Sequence, residues 1–369
     1  MKRYITAMVL PFLLSACASA AHHARPTPPP PPLQEHIPPN EAADTTALIK
    51  LFSVLVRREY AGGIRPAPRD AHPKGQGCVK ATFTVRNGLP RADHYGLFAA
   101  PKSYRAWIRL SSGSPIPQSD TIGDGRGMAI KVIGFKGPKL LPDEKYTQDF
   151  VMINHPVFFS KNARDYLELN RAVLNGTQKM FLETHPRDAE ILSNTISHVT
   201  RDMFAETFFS MSPYTLGPHY MKFRALPVRC PQGPALPGYP GSIPNDPNFL
   251  RARMANDLAV ADACYQLQIQ MQTNAATQPI EDPTVEWKTS EAPFATVADI
   301  VIPEQTFASA AQQTFCDNLS FTPWHGSTDQ RPVGGINRIR LAVYAASSAL
   351  RHDLNRSLSK KPTGKETFK

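Results

Sequence analysis

No stretch of the chain stays apolar for the roughly 20 residues that a membrane-spanning helix needs. The opening segment MKRYITAMVLPFLLSAC has two basic residues and then an apolar run of about ten, too short to span and suited to an export signal. Glycine-rich nucleotide loops are missing, as are C-x-x-C pairs and histidines at zinc-ligand spacing, which excludes the common dinucleotide and zinc sites. No segment repeats. The formal net charge of +10 comes without interleaved basic and aromatic residues, so nucleic acid is not indicated as a partner. Cysteine is scarce, at five in 369 residues. Setting aside Cys17, the remaining Cys78, Cys230, Cys264 and Cys316 are even in number. In an oxidising compartment they form one or two disulfides, with the pairing open, or remain buried thiols.

The residues present divide the chain. Leu14-Ser15-Ala16-Cys17 resembles a bacterial lipobox, so residues 1–17 are read as a lipoprotein signal and Cys17 as the lipid carrier. ARPTPPPPPLQEHIPPNE reads as a polyproline II spacer, which assigns 18–45 to a linker. A folded domain is expected over 46–358, and the basic stretch SLSKKPTGKETFK predicts a flexible tail at 359–369. This organisation places the protein at the cell envelope or in the periplasm, held to the membrane through Cys17. With 41% hydrophobic residues, the domain can bury a sizeable core.

After a helical stretch, TTALIKLFSVLVRREY, the segments CVKATFTVR, RAWIRLSS, GMAIKVIGF and DFVMIN alternate as strands do. Helical spacing follows in NARDYLELNRAVLNG and DAEILSNTISHVTRDMFAETFFS. Strands return in HYMKFRALPV, YQLQIQMQT, VEWKT and ATVADIVIP, interrupted by the helical PNFLRARMANDLAVADA, and INRIRLAVYAASSALRHDLNRSL ends the pattern as a helix. Two strand blocks with helices between and after them predict an α+β fold, a curled antiparallel sheet or barrel.

On that last helix Arg340, Tyr344 and Arg351 fall within an arc of about 40°. An ordinary amphipathic helix would present a half-buried tyrosine between solvated arginines. The sharper reading is that Arg340, one turn ahead, favours the ionised phenol, which is a hard anionic metal ligand. In RDAHPKGQG, Pro73 predicts an extended His72, an imidazole able to accept and return a proton near neutral pH. RLSS places Arg109 and Ser111 on one side of a strand. INHPVFF joins Asn154 to Phe158 and Phe159.

Taken in order, RDAHPKGQG, RLS, DGRGMAIKV, INHPVFF and RIRLAVYAASSALR resemble the motifs of the haem catalase family across roughly residues 47 to 357. The resemblance implies a catalase-like antiparallel β-barrel core with surrounding helices, and haem, with haem b the expected type. It implies that Tyr344 is the proximal iron ligand, the role a tyrosine has in catalases, and that Arg340 keeps this ligand ionised. Arg69, Arg109 and Arg351 match the residues that bind the haem propionates, a use suited to planar bidentate donors. His72 matches the distal histidine, Ser111 the hydroxyl that orients it, and Phe158 an aromatic beside the porphyrin. The implied partners are peroxide and a small-molecule electron donor.

The chain departs from the family in two places. Aligned on Pro-x-Phe-Phe, the distal asparagine falls at Ile153, and Asn154 replaces it only where the backbone bulges. Tyr344 stands close to the end of the sequence, without the long C-terminal regions of large catalases, which implies a minimal, peroxidase-like branch and a monomer or homodimer. The expected function is haem-dependent breakdown of hydrogen peroxide or organic hydroperoxides at the envelope. The alternatives are rearrangement of a lipid hydroperoxide, as in allene oxide synthases, and a non-catalytic haem-binding lipoprotein.

Overall fold

The computed structural model describes residues 35–368, so the signal segment, Cys17 and the proline run lie outside the described residues. Nine strands form: β1 (Gly75–Val85), β2 (Lys102–Ser112), β3 (Arg126–Ile133), β4 (Thr147–Ile153), β5 (Phe208–Phe209), β6 (Tyr214–Leu216), β7 (His219–Val228), β8 (Ala263–Met271) and β9 (Phe294–Ile302), all but the short β5 and β6 from segments that alternate in the sequence. Their order is β5-β4-β3-β2-β1-β9-β8-β7-β6, every pairing antiparallel, and β5 also pairs with β7. That extra pairing closes eight strands into a barrel and leaves β6 as a hairpin arm on β7. The predicted α+β class with an antiparallel barrel is what forms.

Strand alternation decides which residues meet the site. Val79, Ala81 and Phe83 of β1, Ala106, Ile108 and Leu110 of β2, Met128 and Ile130 of β3, and Phe150 and Met152 of β4 share the apolar barrel interior. Their neighbours Cys78, Arg109, Ser111, Gly127, Ala129 and Val151 therefore face outward. The candidate chemistry sits on this outer wall.

Seven helices surround the barrel among the described residues: α1 (Glu41–Ala61), α2 (Ala163–Asn175), α3 (Gln178–Thr184), α4 (Pro186–Ser197), α5 (Phe249–Leu258), α6 (Ala310–Asp317) and α7 (Gly335–Leu354). α2 begins where the Asn162 side chain accepts from Asp165 N at 2.9 Å, and stops at Gly176, whose φ of +71° suits glycine. α1, α2 and α7 enclose a second apolar cluster that includes Leu48, Phe52, Leu167, Ile339 and Val343.

Four expectations are corrected. α1 starts at Glu41, inside the stretch assigned to the linker through 45, and Glu35 already bonds Arg338 of α7. The tail is fastened through residue 368: Glu366 accepts from Trp107 Nε1 at 3.0 Å and the Phe368 ring lies 5.9 Å from that of Trp107. Glu366 and Phe368 are the acidic and aromatic exceptions in a basic segment, and they supply its anchors. VEWKT is no strand, because Trp287 leaves the sheet to pack with Tyr220, Ile280 and Val333. The helix read through residues 188–210 ends at Ser197.

All four described cysteines pair, as Cys78–Cys316 with Cα atoms 6.1 Å apart and Cys230–Cys264 at 5.2 Å.

Candidate functional site

Between the outer wall of β2–β4 and α7 lies a half-open cleft lined by both polar and apolar side chains, the mixed lining usual in ligand sites. Six of the nine residues singled out in the sequence line it: Arg69, His72, Arg109, Ser111, Tyr344 and Arg351. They come from the 69–72 loop, β2 and α7, far apart in sequence. Asp70, Gly127, Phe321 and Ser347 join them.

His72 is not extended as Pro73 led us to expect. Its φ is +56°, in the left-handed region, a conformation that costs on the order of 1–3 kcal/mol and persists only where its surroundings impose it. Those surroundings are visible. Arg109 Nη2 donates to the His72 carbonyl at 2.8 Å, and Ser111 Oγ lies 3.2 Å from His72 Nδ1. Gly127 leaves room for the ring, since a Cβ there would fall 2.6 Å from Nδ1. Burial, reinforced by Arg109, Arg340, Arg69 and Arg126, lowers the imidazole pKa to about 3, so the ring is a neutral acceptor at ordinary pH.

The three guanidiniums form a cationic rim. Arg69 Nη2 donates to the carbonyl of Leu319 at 2.8 Å and reaches those of Cys316 at 3.4 Å and Asp317 at 3.5 Å; Arg351 Nη1 donates to the Asp317 carbonyl. Arg69 Nε and Arg351 Nη2 stay buried without a partner. Burial first, then mutual repulsion with Arg69, pushes Arg109 and Arg351 down to about 9. Buried donors without acceptors and cations that repel one another describe a site short of anions.

The other three residues stand back from the cleft. Arg340 is buried one turn before Tyr344, but its Nη1 donates to Ser212 Oγ at 3.2 Å and Asn337 Oδ1 at 3.1 Å rather than to the Tyr344 hydroxyl. Its guanidinium carbon lies 5.5 Å from the ring centre of Phe158. Phe158 belongs to the apolar cluster against which Tyr344 packs. Asn154 is turned away: its Oδ1 accepts from Arg126 N at 2.6 Å and its Nδ2 donates to Glu206 at 2.9 Å. β3 and β4 pair without a register shift up to Gly127↔Ile153, so no bulge brings Asn154 round. Ile153 takes the outward-facing place, in the cluster with Phe158 and Val343.

Sequence reasoning passed over Gly127, although DGRGMAIKV contains it; only the clash with His72 reveals its part. Asp70 and Ser347, hydrogen-bonded at 2.6 Å, carried no signal at all. One group resembles a metal centre among the described residues, Glu144, Asp149 and His325. The Lys131 ammonium sits inside it, bonding Glu144 and Asp149 (2.8 Å), so the cation is the protein's own.

The barrel and its helices superpose on two solved catalases. One is a bacterial catalase, with TM-score 0.60 at 14% identity, covering 84% of this chain and 62% of that one. The other is a fungal catalase, with TM-score 0.61 at 17% identity, covering 84% and 64%. The fold is the catalase fold. The chain spans less than two thirds of the length of those catalases. No protein-family model and no curated protein matches the chain. In the catalase-like barrel described here, the phenol, the imidazole and the cationic rim share one cleft on the outer wall of β2–β4.

Proposed function

We propose that the chain is a haem-dependent enzyme that breaks down hydrogen peroxide or an organic hydroperoxide at the bacterial cell envelope. The observation that carries this reading is the joint lining of one cleft by Tyr344, His72 and three guanidiniums, two of them with an unpaired buried donor. The donor set fits haem. Arg69, Arg109 and Arg351 would take its two carboxylates, and Tyr344 would offer its phenolic oxygen to the iron. Phe158 and its cluster would meet the apolar porphyrin edge. Bound haem would supply the redox chemistry of O–O cleavage.

The chain's own part is proton handling. Ser111 engages Nδ1 of His72, which leaves Nε2 for substrate. As a neutral base, Nε2 takes the hydroperoxide proton and returns it to the departing oxygen, so that water or an alcohol leaves. The fixed backbone of His72 keeps that nitrogen in place. With Asn154 withdrawn and Ile153 apolar, the site favours peroxidase turnover with an organic donor over disproportionation of hydrogen peroxide. The same apolar residue favours, as a second reading, rearrangement of a lipid hydroperoxide. Two disulfides and the lipobox-like Cys17 support the envelope as the location.

The test is to purify the exported domain, record its absorption spectrum, and follow oxygen release and dye oxidation with peroxide. A haem spectrum with dye oxidation and little oxygen is expected. Vigorous oxygen release would refute the peroxidase assignment, and a haem spectrum with neither activity would refute the enzyme reading.

A further inference from the structure

Resting on the haem reading, we infer that the Cys78–Cys316 disulfide is the positioning element of the cationic rim, which sets how strongly the cleft grips a dicarboxylate. All three arginines are arranged around this bond. Cys78 stands directly opposite Arg109 in the β1–β2 register. The carbonyl of Cys316 itself accepts from Arg69 Nη2 at 3.4 Å, and the next carbonyl, of Asp317, accepts from Arg351. These are the last carbonyls of α6, at its negative end, where cations are attracted; that of Cys316 also accepts from Leu319 N at 3.1 Å. Together with the Leu319 carbonyl just beyond the helix, 2.8 Å from Arg69 Nη2, they hold Arg69 and Arg351. Of the remaining nitrogens, Arg69 Nε and Arg351 Nη2 have no protein partner and are open to a ligand.

The position of those carbonyls depends on the crosslink, because the bond is the covalent tie of α6 to β1; the Phe315 ring, 5.1 Å from that of Trp107, and the Gln313 bond to the Phe307 carbonyl hold the helix less rigidly. Only Gln312 and Cys316 of its eight residues are buried. Gln312 Nε2 reaches the Cys78 carbonyl at 2.8 Å, so both buried contacts lead to the same residue of β1. Without the bond, α6 can shift along the barrel and carry its terminal carbonyls with it. The arginines would then lose their common orientation while the barrel core, which lies on the other face of β1, stays intact.

The experiment uses the full chain and two iron-free probes, protoporphyrin IX and its dimethyl ester, with affinity read by fluorescence titration. Neither probe depends on the iron–tyrosine bond, and only the first has carboxylates. Cys78→Ser/Cys316→Ser is expected to weaken protoporphyrin IX binding at least tenfold and leave the dimethyl ester unchanged. Cys230→Ser/Cys264→Ser should change neither. If the serine pair fails to fold, Cys78→Ala/Cys316→Val keeps an apolar filling without the crosslink and carries the same expectation. Unchanged affinity for the free acid, or equal losses for acid and ester, would overturn the inference. A wild-type chain that binds neither porphyrin would instead refute the haem reading, and this inference with it.

Discussion

His72 concentrates the physical demands of the site in one residue. Its positive φ, its hydrogen bond from Arg109 and its contact with Ser111 act together, and each restricts where the ring can go. Gly127→Ala would place a methyl group 2.6 Å from Nδ1. We expect folded protein with turnover reduced by about 100-fold, the scale of an ångström-sized misplacement; unchanged turnover would show that the ring position does not matter. His72→Ala should retain haem and lose about 100-fold or more in peroxide turnover, as loss of a general acid–base group does. The pH behaviour follows from the lowered pKa. Unfolded, the ring gains a proton below 6.5; folded, burial and four arginines delay this to about 3. Between those values the unfolded state binds the extra proton, so acid costs stability there. In the haem-free protein, ¹⁵N NMR should find the His72 ring neutral at pH 5, and a protonated ring would contradict the electrostatic account. The sequence motif made His72 legible, but not its conformation, which is imposed by side chains brought from β2.

At the scale of elements, α7 does most to build the site, and its N-terminus is clamped. Arg338 bonds Glu35, Glu41 and Glu281. Burial alone would lower its pKa, but the three carboxylates raise it above the usual arginine range. Arg338→Met leaves Glu41 and Glu281 without their cation in a partly buried setting while Glu35 keeps Arg331, and we expect a loss of about 3 kcal/mol of stability, measured by denaturant unfolding. A loss under about 1 kcal/mol, usual for surface pairs, would show that the clamp is ornamental. Seven of the nine strands follow segments legible as alternation, since a barrel strand with one apolar face must alternate. The helix face was equally legible: Arg340, Tyr344 and Arg351 do share it. The partners of Arg340 were not, because Ser212 lies in a loop 128 residues away and no local pattern encodes such a contact. Asn154 shows the same limit, as its direction depends on β3–β4 register and on Glu206.

For the whole molecule, a filled barrel serves as a wall rather than a container. Its interior is apolar and packed, so the cleft is built outside, where α7 closes over β2–β4. On the same outer face, the buried network of Lys131, Glu144, Asp149 and His325 holds the 322–327 turn, with Thr322 N donating to Asp149 at 3.1 Å. Lys131→Met should cost about 3–5 kcal/mol by leaving buried carboxylates unpaired, with denaturation midpoints as the check. The cysteine count anticipated disulfides, and the fold alone chose their partners; alkylation without reductant should label none of Cys78, Cys230, Cys264 or Cys316. The account as a whole stands on Tyr344 as the anchor of a tetrapyrrole, and the most direct measurement is haem retained per chain in wild type and Tyr344→Phe, each expressed with ample haem and read by absorbance after purification. We predict near-stoichiometric haem in the wild type and almost none in the variant; equal occupancy of the two, or a colourless wild type, would contradict it.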